Sequence, residues 1–89
     1  MKGPYLEVTF RHGRPLAAYL YLPRRAGERS HRSRRVDPGL VVDFAASGAP
    51  IGIEITAPAR LTLTALNKAL RSLGLPIMTK ADLAPLRAA

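Results

Sequence analysis

Asp43 and Glu54 stand on two segments that alternate apolar and polar residues. If those segments pair antiparallel, the two carboxylates fall diagonally adjacent on one face with Gly52 between them. General acid and base work needs two carboxyls whose surroundings push their pKa values apart, and a hydrolytic metal site needs more oxygen ligands than one strand pair supplies. The pair is therefore read as structural, meeting arginines or pinning the strand ends. His12 and His31 both sit beside arginines in segments without apolar periodicity, and neither has a serine or cysteine at a nucleophile's spacing. No G-x-S-x-G turn and no glycine-rich phosphate loop is present. With two histidines and no cysteine, a metal site is not expected. The expectation is a non-enzyme with no catalytic residue and no cofactor.

Binding chemistry is better represented. Arg24, Arg25, Arg29, Arg32, Arg34 and Arg35 crowd the stretch 23–35, whose only apolar residue besides Pro23 is Ala26. Guanidinium groups bind phosphates bidentately, and each neutralised phosphate releases counterions, so such an arm suits a nucleic acid or an acidic protein partner. A solvated basic loop is the plainer alternative. Tyr5, Tyr19 and Tyr21 share one face of an alternating pair of segments, where their rings can stack bases, pack half-buried against another layer, or form a self-association surface.

These side chains must be held by strands. Leu6, Val8 and Phe10 alternate with Tyr5, Glu7 and Thr9, and Leu16, Ala18, Leu20 and Leu22 alternate with Ala17, Tyr19 and Tyr21. The spacing predicts a hairpin pairing Phe10 with Leu16, Val8 with Ala18 and Leu6 with Leu20, through a three- or five-residue turn with Gly13 in the left-handed conformation. The arm that follows is expected to be exposed and partly mobile, with Ser33 to Val36 able to add a short edge strand. A second hairpin runs from Gly39 to Thr56. A two-residue turn at Ser47-Gly48 would pair Phe44 with Ile51, Val42 with Ile53 and Leu40 with Ile55, putting all of these side chains on one face.

Past Ala57-Pro58, Leu63, Leu66, Leu70 and Leu73 recur at helical spacing, with Thr62 or Thr64 as cap and Gly74 and Pro76 as the stop. Thr79 and Asp82 form a capping-box pattern for a short terminal turn that Pro85 keeps brief. Two helical pieces joined by a short link resemble a helix-turn-helix, but a second piece with only Lys80 and Arg87 as basic groups makes a poor recognition helix. The fold class is α+β: an antiparallel sheet of four to five strands, built from two hairpins, with one C-terminal helix on its apolar face and a short terminal helical turn.

The run Val36-Asp37-Pro38-Gly39-Leu40-Val41-Val42-Asp43-Phe44, followed by Gly48 and Ile51-Gly52-Ile53-Glu54-Ile55, resembles the signature of the bacterial domain-of-unknown-function 2283 family. Tyr19-Leu20-Tyr21-Leu22 is similar to that family's second strand, so the resemblance reaches from about Leu6 to Ala57. It implies a compact β-rich domain followed by a helix, without an established activity, and a role as partner of small toxin-like proteins. The basic first turn Arg11-His12-Gly13-Arg14 departs from the acidic residues usual there.

Eighty-nine residues make one domain, with a sheet region over 5–57 that includes the basic arm 23–35, and a helical segment over 61–89. A chain of this size buries only about 60 to 65% of its unfolded surface, too little to enclose a deep cleft. The net charge of +8 and a pI near 11.2 attract polyanions and acidic surfaces. The absence of cysteine and of a leading apolar segment gives the expectation of a cytoplasmic protein without a membrane partner. Two functions follow as expectations. The first is a non-catalytic interaction module, a homodimer or an antitoxin-like binder of a small protein, using the tyrosine face or the C-terminal helices. The second is a nucleic-acid-binding protein using the arginine arm.

Overall fold

The computed structural model describes residues 4–87. Alternation of apolar and polar side chains is realised as five strands: β1 (Tyr5–Arg11), β2 (Arg14–Tyr21), β3 (Arg32–Asp37), β4 (Leu40–Phe44) and β5 (Pro50–Ile55). They form one sheet in the order β1-β2-β5-β4-β3, and every neighbouring pair is antiparallel. β5 is thus the middle strand, joining the first hairpin to the meander β3-β4-β5. Strand parity then sorts the side chains. Leu6, Val8, Ala18, Leu20, Leu40, Val42, Phe44, Ile53 and Ile55 share an inner face with the core.

Helix α1 (Leu63–Ser72) covers this inner face with Leu66, Ala69 and Leu70. Thr62 caps it, its hydroxyl accepting from the Ala65 N–H at 3.1 Å. At the other end Gly74 takes a positive φ of 72°, which lets the Leu75 N–H reach back to the Leu70 carbonyl at 2.9 Å and that of Gly74 to Arg71 at 3.0 Å, the Schellman closure. The Thr79 backbone N–H then donates to Asp82 at 2.7 Å and the Asp82 N–H to the Thr79 hydroxyl at 3.2 Å, as the capping-box pattern requires. The piece they open is a 3₁₀ helix, Ala81–Arg87, whose Leu83 and Leu86 are buried. Its 3₁₀ form, with Pro85 inside, differs from the α-helix of a helix-turn-helix pair. No helix among the described residues is long and apolar enough to cross a membrane.

Of the eight most deeply buried large side chains, five (Leu40, Val42, Ile51, Ile53 and Ile55) come from β4 and β5. At about 1.5 to 3 kcal/mol each, they make that hairpin the main contributor to the core. Both hairpins nonetheless depart from the expected register near their turns. In the first, His12 and Gly13 both adopt positive φ (52° and 76°), giving a two-residue turn rather than one of three or five. This geometry matches the twist of the flanking strands, and a bulge absorbs the odd residue: Val8 still meets Ala18, but Phe10 meets Pro15. Phe10 and Leu16 are left exposed. In the second, the Gly48 N–H donates to the Ala45 carbonyl and the Ala45 N–H to the Ala49 carbonyl, both at 2.9 Å, closing a three-residue loop with Gly48 at φ 91°. Val42 and Leu40 keep Ile53 and Ile55, whereas Phe44 faces Pro50. Ile51 is buried beside the bulge, outside the main cluster.

A candidate interaction surface

The second face of the sheet carries the side chains of opposite parity, and two rows cross it. The ladder partners set Glu7, Tyr19, Glu54, Val41 and Arg35 in one row, one residue from each strand. Tyr5, Tyr21, Gly52, Asp43 and Ser33 make the next. The core layer packs on the inner face and leaves these rows outside it, with the Arg24 guanidinium over the Tyr21 ring.

The rows are interlocked by Tyr19. Its side chain lies across Gly52 and donates from its hydroxyl to Asp43 Oδ2 at 2.7 Å, two strands away. A Cβ at position 52 would collide with that hydroxyl and ring, which is why the middle strand has glycine here. Ser33 donates from its hydroxyl to the other oxygen of Asp43 at 2.5 Å. Both oxygens of this buried carboxylate are therefore occupied, and the side chain ties β2, β4 and β3 together. Burial first, then the hydrogen bond and charge of Asp43, push the Tyr19 hydroxyl well above the usual phenol range. Burial first, then the neighbouring Asp43, also raises Glu54 above the usual carboxylate range. The two carboxyls do come together, as the spacing predicted, but Asp43 serves as a structural acceptor.

The tyrosines form one cluster. Tyr5 stacks on Tyr21 with centroids 4.5 Å apart, and Tyr19 meets Tyr21 edge-on at 4.7 Å. The Tyr21 hydroxyl donates to Glu7 at 3.2 Å, and burial followed by that carboxylate raises its pKa. Beside them Glu7, Thr9, Ala17, Tyr19 and Glu54 line a shallow depression of about 230 Å³. Glu7, Asp43 and Glu54, three of the six acidic residues, thus stand among the tyrosines of a strongly basic chain.

The arginines of the arm do not converge. Arg24 donates to the Ile51 carbonyl at 2.6 Å and lies 5.9 Å from the Tyr21 ring. Glu28 holds the loop, accepting from the Arg25 N–H and from the Ser47 hydroxyl, each at 3.0 Å, and these bonds lower its pKa. The arm is exposed over most of its length, as expected, and its end forms β3, longer than the short strand anticipated. Arg32 and Arg34 flank the Phe44 ring at 5.6 and 5.3 Å, on the inner side of that strand. Arg35 lies on the outer side and donates to the Pro38 carbonyl at 2.6 Å. Arg29, His12 and His31 are exposed. No cluster of metal-ligating side chains occurs among the described residues.

Sequence reasoning placed Glu7 on the Tyr5 side of β1 without singling it out, and it overlooked Ser33, whose parity within β3 becomes readable only once the strand order is known. No curated protein and no solved structure matches the chain. Residues 17–57, from the second strand to the end of the central hairpin, match the model of a family described as protein of unknown function (DUF2283). Over these residues, just under half of the chain, the resemblance to the domain-of-unknown-function 2283 family holds.

Proposed function

We propose that this protein is a non-catalytic interaction module that associates with a second copy of itself through the outer face of the sheet. The observation that carries this reading is the uncovered face itself. It displays a contiguous cluster of three tyrosines, of which Tyr5 is 51% exposed. Tyrosine is enriched at protein contacts because its ring buries apolar area while its hydroxyl stays paired. The charge pattern favours a second copy as the occupant. Along one row Glu7 lies at one edge of the sheet and Arg35 at the other. A twofold axis running along β5 places β1 of one copy over β3 of the other, so each Glu7 meets a partner Arg35.

Base stacking by the same tyrosines fits less well. Glu7, Asp43 and Glu54 stand among the rings and outnumber the Arg24 guanidinium beside Tyr21, which disfavours phosphate, and Tyr5 and Tyr21 already stack on one another. Sedimentation velocity over a dilution series tests the proposal. The wild-type chain is expected to sediment as a dimer that dissociates on dilution, and Tyr5→Lys, at an exposed position, as a folded monomer by circular dichroism. A wild-type chain that remains monomeric at every concentration would refute the assignment.

A further inference from the structure

β3 is an edge strand. It pairs with β4 on one side only, and its ladder is regular from Arg32 to Arg35 before a bulge ahead of Asp37. Alternate N–H and C=O groups along its free side therefore point away from the sheet, the arrangement that accepts an extended peptide as an added strand. The side chains along this edge select the charge of such a peptide. Arg32 and Arg34 project on the inner side, flanking Phe44, and Arg35 on the outer side. A second β3 is repelled, since it would bring arginines against arginines. An acidic strand is attracted, each carboxylate finding a planar guanidinium able to bind it through two N–H groups.

Next to the edge, β3 and α1 enclose a groove of about 190 Å³ lined by Val36, Asp37, Ala65, Lys68, Ala69 and Ser72. An inward-facing side chain of an added strand, at the level of Val36, enters this groove. The small residues Ala65 and Ala69 leave room for an aliphatic group there, and Asp37 and Lys68 balance one another in charge at its rim.

We infer that the β3 edge is a docking site for an extended acidic segment of another protein, which adds as a strand with carboxylates on Arg32, Arg34 and Arg35 and an aliphatic side chain in the groove beside Val36. This surface shares only Arg35 with the outer face assigned to self-association, and the two are tested through other residues, Arg32 and Arg34 here and Tyr5 there.

The test uses the full chain and a fluorescent peptide of about ten residues whose inward-facing positions carry two glutamates followed by a valine and whose outward-facing positions carry threonines and one glutamate. Saturable binding is expected, weakening with salt, with slowed hydrogen exchange at alternate backbone amides between Arg32 and Arg35. Arg32→Glu and Arg34→Glu, both exposed positions, should each weaken binding by about tenfold, whereas Tyr5→Lys should leave it unchanged. A copy of the peptide N-methylated on alternate residues keeps its charge but loses the N–H groups of one edge, and it should not bind. Equal affinity of the methylated peptide, or binding without amide protection in β3, would show charge attraction alone and overturn the proposal. So would an oligonucleotide that binds through Arg32 and Arg34 while the peptide does not.

Discussion

Tyr19 and Gly52 depend on one another. The tyrosine reaches Asp43 only because the middle strand offers no Cβ in its path. Gly52→Ala should therefore cost about 1 to 3 kcal/mol by displacing the ring from its hydrogen bond. In a Tyr19→Ala background the same substitution should cost no more than a few tenths of a kcal/mol, roughly what a strand position tolerates. Equal losses in both backgrounds, measured by chemical denaturation, would show that the two residues are not coupled. Glu54 carries a pH signature. Its folded pKa lies above the unfolded value of 4.5, because burial and then Asp43 disfavour its charged form. The folded state therefore binds this proton more tightly than the unfolded state, and stability falls as pH rises from about 4.5 through the raised folded value. Glu54→Gln should remove that fall and leave the variant more stable than wild type at neutral pH. The difference between their denaturation midpoints across pH 4 to 8 checks the sign, and a gap that does not widen with pH in that window contradicts it.

At the scale of elements, the sheet was largely legible in the sequence and the turns were not. Alternation placed Leu40, Val42, Ile53 and Ile55 on one face, because a slip by one residue would turn all of them to water. Turn geometry obeys local twist as well. His12 enters the left-handed region and Gly48 closes a three-residue loop, so each hairpin shifts by one residue near its tip. The anchor of the C-terminal segment was not legible at all. Asn67 lies on the buried side of α1, where helical periodicity suggests only leucines, and its amide clamps both backbone groups of Met78. It donates to the carbonyl at 3.0 Å and accepts from the N–H at 2.8 Å. Asn67→Leu keeps the volume but strands both buried groups, so it should cost about 2 kcal/mol or more. Hydrogen exchange should show the stretch 75–87 opening before the sheet. A uniform loss of protection across the whole chain would argue that the clamp holds more than this segment.

Across the open side of the sheet the charge is graded: three carboxylates collect around the tyrosines, and Arg35 stands at the far edge on β3. That polarity makes the proposed twofold association testable by charge exchange. Glu7→Arg and Arg35→Glu should each weaken the dimer through a like-charge contact, and the double variant should recover it in part, as seen by sedimentation equilibrium. Additive losses with no recovery would separate the two residues in the assembly. By itself the sequence determined the α+β class, the strands and their inward faces, the capped helix, the terminal capping box and the family signature, all of which follow from local periodicity and local hydrogen bonding. Only the tertiary structure decided which strands are neighbours. Placing β5 between β2 and β4 is a contact between distant segments, and no short window of sequence encodes it. From that one choice come the reach of Tyr19 to Asp43, the row from Glu7 to Arg35, and the free edge of β3.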